Sequence, residues 1–116
     1  MGRRQRQRQK LTAPTSDYRD PDGNLLTLRG SLTPGSRRDY AEVLAGGAHR
    51  EDAWQRATEL LFERLAVSWE IAGLPLTDQA MLIGRYRMAD AETQAWVRRT
   101  IATHVERHIP ELADLP

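Results

Sequence analysis

The sequence predicts a mainly α fold with a short N-terminal β-hairpin, an α+β chain whose body is a small bundle of about four helices. Three observations predict it. Residues 51–69 are the longest run able to bury one side and solvate the other. Turn chemistry at 20–24 stands between short alternating segments. Helix caps and stops at Thr33-Pro34, Thr77, Asp90 and Pro110 divide most of the remainder into helical lengths.

In chain order, residues 1–16 hold no apolar set to bury and read as a disordered basic tail. Residues 17–32 read as a hairpin. Asp20-Pro21-Asp22-Gly23-Asn24 combines a fixed φ, a residue that accepts positive φ, and side chains that bond the local backbone. Leu26 and Leu28 then alternate with Thr27 and Arg29, the period of a half-buried strand. A calcium loop would need a Glu at its twelfth position, and Ser31 or Thr33 stands there instead.

Thr33 caps the first helix, Pro34 suits its first position, and Gly46-Gly47 ends it. In residues 51–69, Trp54, Ala57, Leu61, Leu65 and Ser68 step by three and four, which predicts an amphipathic helix of about five turns with Trp54 in the core. Residues 71–76 contain Gly73 and Pro75 and must break the helix into a turn or a short extended piece. Thr77 then caps a helix over 78–87, with Ala80, Met81, Ile83 and Tyr86 inward. Asp90 caps the last, whose face is Val97, Ile101, Val105 and Ile109 with Trp96 at its side. Residues 17–110 make a single domain, and 111–116 read as a loose tail.

The composition narrows the function classes. There is no cysteine, so disulfides and thiolate metal sites are excluded. No apolar run reaches the roughly 18 residues of a membrane span, and the basic N-terminus lacks the apolar stretch of a signal peptide. The chain reads as soluble and cytoplasmic. Its net charge of +1 hides an asymmetry: Arg3, Arg4, Arg6, Arg8 and Lys10 stand in the first ten residues without an acid. The other 12 bases face 16 acids, a net of −4. Those five basic residues are the candidate contact with nucleic acid or another anionic surface, through phosphate pairing and counterion release.

Catalytic chemistry finds no frame. His104 and His108 share a helical face, but the HExxH order is absent, and they read as a surface pair near a helix C-terminus, where positive charge is welcome. The serines lack a GxSxG setting, the glycines form no phosphate loop, and Glu59 and Glu63 read as a solvated stripe. No enzyme activity, metal or cofactor is expected.

The remaining candidates are aromatic and apolar. Trp69 and Trp96 are candidate interface anchors, tryptophan being favoured there. Gly73 and Pro75 keep the backbone at 69–76 open, so Trp69, Ile71, Leu74 and Leu76 are not expected to enter one helix-packed core together; some should line a groove for a partner.

Three stretches carry a family resemblance: Gly-Asn-Leu-Leu-Thr-Leu-Arg-Gly-Ser-Leu-Thr-Pro-Gly at 23–35, Val67-Ser68-Trp69, and Gly73-Leu74-Pro75-Leu76-Thr77. In this order, over residues 23–109, the chain resembles the tail assembly chaperones of long-tailed bacteriophages and of actinobacterial prophage-like elements. The basic tail has no counterpart in that pattern. The resemblance implies a non-enzymatic protein of virion assembly in the bacterial host cytoplasm. It would bind the tape-measure protein and aid assembly of tail-tube subunits around it. The alternative reading is a small actinobacterial adaptor whose basic N-terminal tail contacts nucleic acid.

Overall fold

The structure, a computed structural model, describes residues 14–46 and 50–114. Two strands, β1 (Thr15–Arg19) and β2 (Leu25–Arg29), lead into helices α1 (Pro34–Ala45) and α2 (Arg50–Leu65). Two further strands, β3 (Ala66–Ile71) and β4 (Leu74–Leu76), precede α3 (Gln79–Met88), α4 (Ala91–His108) and a closing 3₁₀ turn (Pro110–Asp114). The strands form one antiparallel sheet in the order β1-β2-β3-β4. The expected helical bundle with an appended hairpin is therefore incorrect. The hairpin is half of a four-stranded sheet, and the second half comes from residues assigned to the end of a helix and to a link.

The physical reason lies at Leu65. The helical pattern runs smoothly into Ala66, Val67, Ser68 and Trp69, but the same residues also satisfy a period of two. β2 presents Leu26 and Leu28, which need a neighbouring strand to complete their face. β3 supplies it: Leu26 registers with Trp69 and Leu28 with Ala66, with a bulge that sets Val67 out of step. The chain then reverses through Ala72 (φ 52°) and Gly73 (φ 80°), both in the left-handed region, as a tight two-residue hairpin turn requires. Ile71 pairs with Leu74 and Trp69 with Leu76. The first hairpin turns at Asp20, whose carboxylate accepts from the Asp22 and Asn24 amides, each at 2.9 Å.

One face of the sheet makes the core with the helices. Leu26, Leu28 and Trp69 meet Phe62 and Leu65 of α2, Leu82 and Tyr86 of α3, and Val97 and Ile101 of α4. Residues on the other face, Asp17, Thr27 and Ser68, register across from one another and keep some exposure, as a one-sided antiparallel sheet allows. Within α2 the buried stripe is Ala53, Ala57, Leu61 and Leu65; it shares Ala57, Leu61 and Leu65 with the predicted stripe and differs at its start, where Ala53 and not Trp54 is buried.

The helix ends follow local chemistry. Thr33 caps α1 by accepting from the Ser36 amide, and Asp90 caps α4 by accepting from the Thr93 amide at 2.7 Å. Asp78 caps α3, one residue beyond Thr77, and Met81 is exposed where it was expected inward. β1 begins at Thr15, so Thr15 and Ser16 belong to the sheet and not to the tail. Past Pro110 the chain is not loose through residue 114, because Leu112 is buried and Glu111 pairs with Arg37 of α1 at 2.6 Å. No described helix is long and apolar enough to cross a membrane.

Candidate protein-binding groove

Helices α1, α2 and α4 and the 3₁₀ turn do not close completely over the core. Between them lies a groove of about 250 Å³. Its floor is apolar: Tyr40, Leu61, Ile101, Val105 and Leu112, each buried to better than nine-tenths. One wall is Trp54, whose indole remains 55% exposed. Thr58, Arg98, Ala102 and Glu106 complete the lining. A second depression of about 530 Å³ shares Trp54, Thr58 and Arg98 and adds Glu51, Asp52 and Gln55. The exposed indole thus stands between two adjoining hollows, beside three acids and one arginine.

This arrangement arises from helix geometry. Trp54 lies one residue after Ala53, about 100° around α2 from the buried stripe. Ala53 and Ala57 are small, which lets α2 lie close to its neighbours while Trp54 projects at the flank. At about 250 Å³ the apolar hollow falls under the roughly 300 Å³ at which small-molecule pockets begin. It suits an anchoring side chain of a protein partner. Of its polar lining, Thr58 is partly exposed and Arg98 and Glu106 are exposed.

The residues expected to bind a partner are distributed differently. Trp69 is 1% exposed and stands edge-on to Phe62 with ring centroids 5.7 Å apart. It is core, which corrects the expectation of a surface anchor. Gly73 and Pro75 do not hold a groove open: they belong to the β3–β4 hairpin, and its pairing turns Trp69 toward the helices. Ile71 and Leu76 are partly buried against the core and Leu74 is 75% exposed at the hairpin end, so the four residues do not gather into one apolar surface. Trp69 and Ile71 line a separate, more polar cleft of about 430 Å³ with Arg85, Asp90 and Thr93, and Leu74 and Leu76 do not reach it. Trp96 is partly buried against the core and lines neither hollow. Arg3, Arg4, Arg6, Arg8 and Lys10 lie outside the described residues.

His104 is a second correction. It is fully buried, and only His108 of the pair is exposed. The His104 Nε2–H donates to the Arg29 carbonyl at 2.6 Å, since a carbonyl only accepts. The other ring nitrogen, Nδ1, then accepts from the Tyr18 hydroxyl at 2.7 Å. One neutral tautomer satisfies both bonds and ties α4 to β1 and β2. Burial pushes the His104 pKa below its ordinary value, and the nearby His108 adds to that, while the Arg29 carbonyl opposes it. The signal was present in the sequence: His104 is three residues after Ile101 and seven after Val97, on the apolar stripe.

Comparison with protein-family models, with curated proteins and with solved structures finds no match.

Proposed function

We propose that this protein is a non-enzymatic assembly chaperone of the long-tailed-phage type, which holds an amphipathic helix of the tape-measure protein in the α2–α4 groove and so aids tail-tube assembly. The reading combines the resemblance at residues 23–35, 67–69 and 73–77 with one structural observation, a half-exposed Trp54 beside an apolar floor. An amphipathic helix docks by a few apolar anchors spaced three and four residues apart, and a groove between two helices receives such a row. Covering the exposed half of an indole removes on the order of 100 Å² of mostly apolar surface, about 2–3 kcal/mol. That is the scale of an interface hot spot. Glu51, Asp52 and Glu106 around Arg98 favour a client helix with basic flanks. On this reading the protein works in the cytoplasm of the bacterial host.

The test is co-purification with the tape-measure protein. Trp54→Ala is expected to lose the client while the free protein still melts cooperatively, because the indole is only half-buried. Normal capture of the client by a folded Trp54→Ala variant would remove the groove from the account.

A further inference from the structure

The two edges of the sheet are built differently. β4 is three residues long and contains Pro75, which has no N–H to offer a further strand. β1 is five residues long, contains no proline, and has no partner on its outer side among the described residues.

The hydrogen-bond parity of β1 follows from its ends. The Asp20 amide donates to Asn24 O at 2.9 Å, and the Gly30 amide donates to Pro14 O at 2.7 Å. Antiparallel pairs alternate between bonded and non-bonded. With Ser16 opposite Leu28 and Tyr18 opposite Leu26, those two pairs are bonded to β2. The N–H and C=O groups of Thr15, Asp17 and Arg19 therefore point outward, toward the free edge.

A second copy can meet this edge by a two-fold axis perpendicular to the sheet, which keeps both helical layers on one side. Three registers bring at least two outward-pointing residues of each copy together. Centred on Asp17, the axis sets Asp17 against Asp17, and like charges directly opposite destabilise a pair. Centred on Ser16, it sets Thr15 against Asp17 and leaves Arg19 without a strand residue to face. Centred on Tyr18, it sets Asp17 against Arg19 twice, once from each copy. Both residues are exposed, and neither forms an ion pair among the described residues.

We propose that β1 is a homodimer interface, pairing antiparallel with β1 of a second copy about Tyr18 to form a continuous eight-stranded sheet. Asp17 and Arg19 exchange main-chain hydrogen bonds across the axis and match their charges in doing so. The register is selected because it alone brings opposite charges together. Asp17 retains a free carboxylate oxygen, since only its Oδ1 accepts from Thr27. Arg19 retains guanidinium donors beyond the single one given to Gly23 O. The interface lies on the sheet edge and does not use Trp54, so it stands or falls independently of the client groove.

The experiment is sedimentation of the full chain over a concentration series, with the charge swaps Asp17→Arg, Arg19→Asp and the two combined. Wild type is expected to dimerise weakly, with a dissociation constant on the order of 100 μM, as a short interface gives. Each single swap brings like charges together and is expected to weaken association about tenfold or more. The double swap restores opposite charges and is expected to recover most of it. Hydrogen exchange adds the register: protection of the Asp17 and Arg19 amides should rise with protein concentration. A wild type that stays monomeric, or a dimer indifferent to the single swaps, overturns the proposal. So does a double swap no better than the singles while all variants remain folded by circular dichroism.

Discussion

Trp54 and Trp69 flank the same boundary, the point where α2 becomes β3, and their environments are reversed from what helical periodicity predicts. Trp54 is 55% exposed and Trp69 1%. A single helix through both would place Trp54 on the buried stripe and leave Trp69 at a frayed end. The stripe keeps Ala57, Leu61 and Leu65 but starts at Ala53 and not at Trp54, and the period changes after Leu65. In α2 it centres on Ala53, Ala57, Leu61 and Leu65, and in β3 alternation turns Trp69 inward against Leu26. A side chain's fate is thus set by the element that contains it. One indole supports the fold, and the other stays half-exposed beside an apolar groove.

The largest effect that would break this contrast is at Trp69. Trp69→Ala is expected to cost about 3–5 kcal/mol, a large share of the stability of a small domain. Denaturant unfolding measures it. A cost under about 1 kcal/mol would mean that Trp69 is not a core residue.

The next test concerns His104, a polar side chain in the interior. Replacing His104 by Leu keeps most of the volume but leaves the Tyr18 hydroxyl and the Arg29 carbonyl without their partner, at about 2–4 kcal/mol in total. The pH dependence is a sharper measure. Folding lowers the His104 pKa below 6.5, so above 6.5 the ring is neutral in both states and its contribution is complete. As pH falls below 6.5 the unfolded chain takes up the proton first, and stability declines until the folded ring titrates too. Wild type should therefore lose stability more steeply than His104→Leu as pH falls below 6.5. Equal slopes would show that His104 titrates as it does in the unfolded chain.

A smaller effect, of opposite sign, is expected at the β3–β4 turn. Ala72 holds φ 52°, where a Cβ costs about 1–2 kcal/mol, and asparagine tolerates this region better. Ala72→Asn creates the Asn-Gly pair favoured in such turns and should raise stability by about 0.5–1 kcal/mol in thermal melts. A loss would mean that the hairpin does not turn at these two residues.

What the sequence made legible was local. The Asp20–Asn24 turn, the caps at Thr33 and Asp90 and the stop at Pro110 depend on residues a few positions apart, and each is present. β3 was not legible, because a short apolar run after a helix satisfies either period. Leu26 and Leu28, far away in the chain, select the strand. The same non-local pairing hid the burial of Trp69. His104 is legible in spacing, but its four-residue step to His108 near a helix C-terminus equally fits a surface pair. Its two hydrogen bonds come from β1 and β2, which no helical pattern reveals. The groove at Trp54 follows from the first step of the α2 stripe, which runs four residues from Ala53 to Ala57 where the sequence equally offers three from Trp54, a choice that periodicity alone does not resolve.

The central claim is that Trp54 is the exposed anchor a client covers. Acrylamide quenching of tryptophan emission measures it directly, since Trp69 is buried and Trp96 partly so. In the free protein most of the quenching should disappear with Trp54→Phe. In wild type, a saturating amount of a tryptophan-free tape-measure segment should shield the indole and reduce quenching to the level of that variant. Client bound at saturation with quenching unchanged would contradict the account and place the partner surface away from the α2–α4 groove.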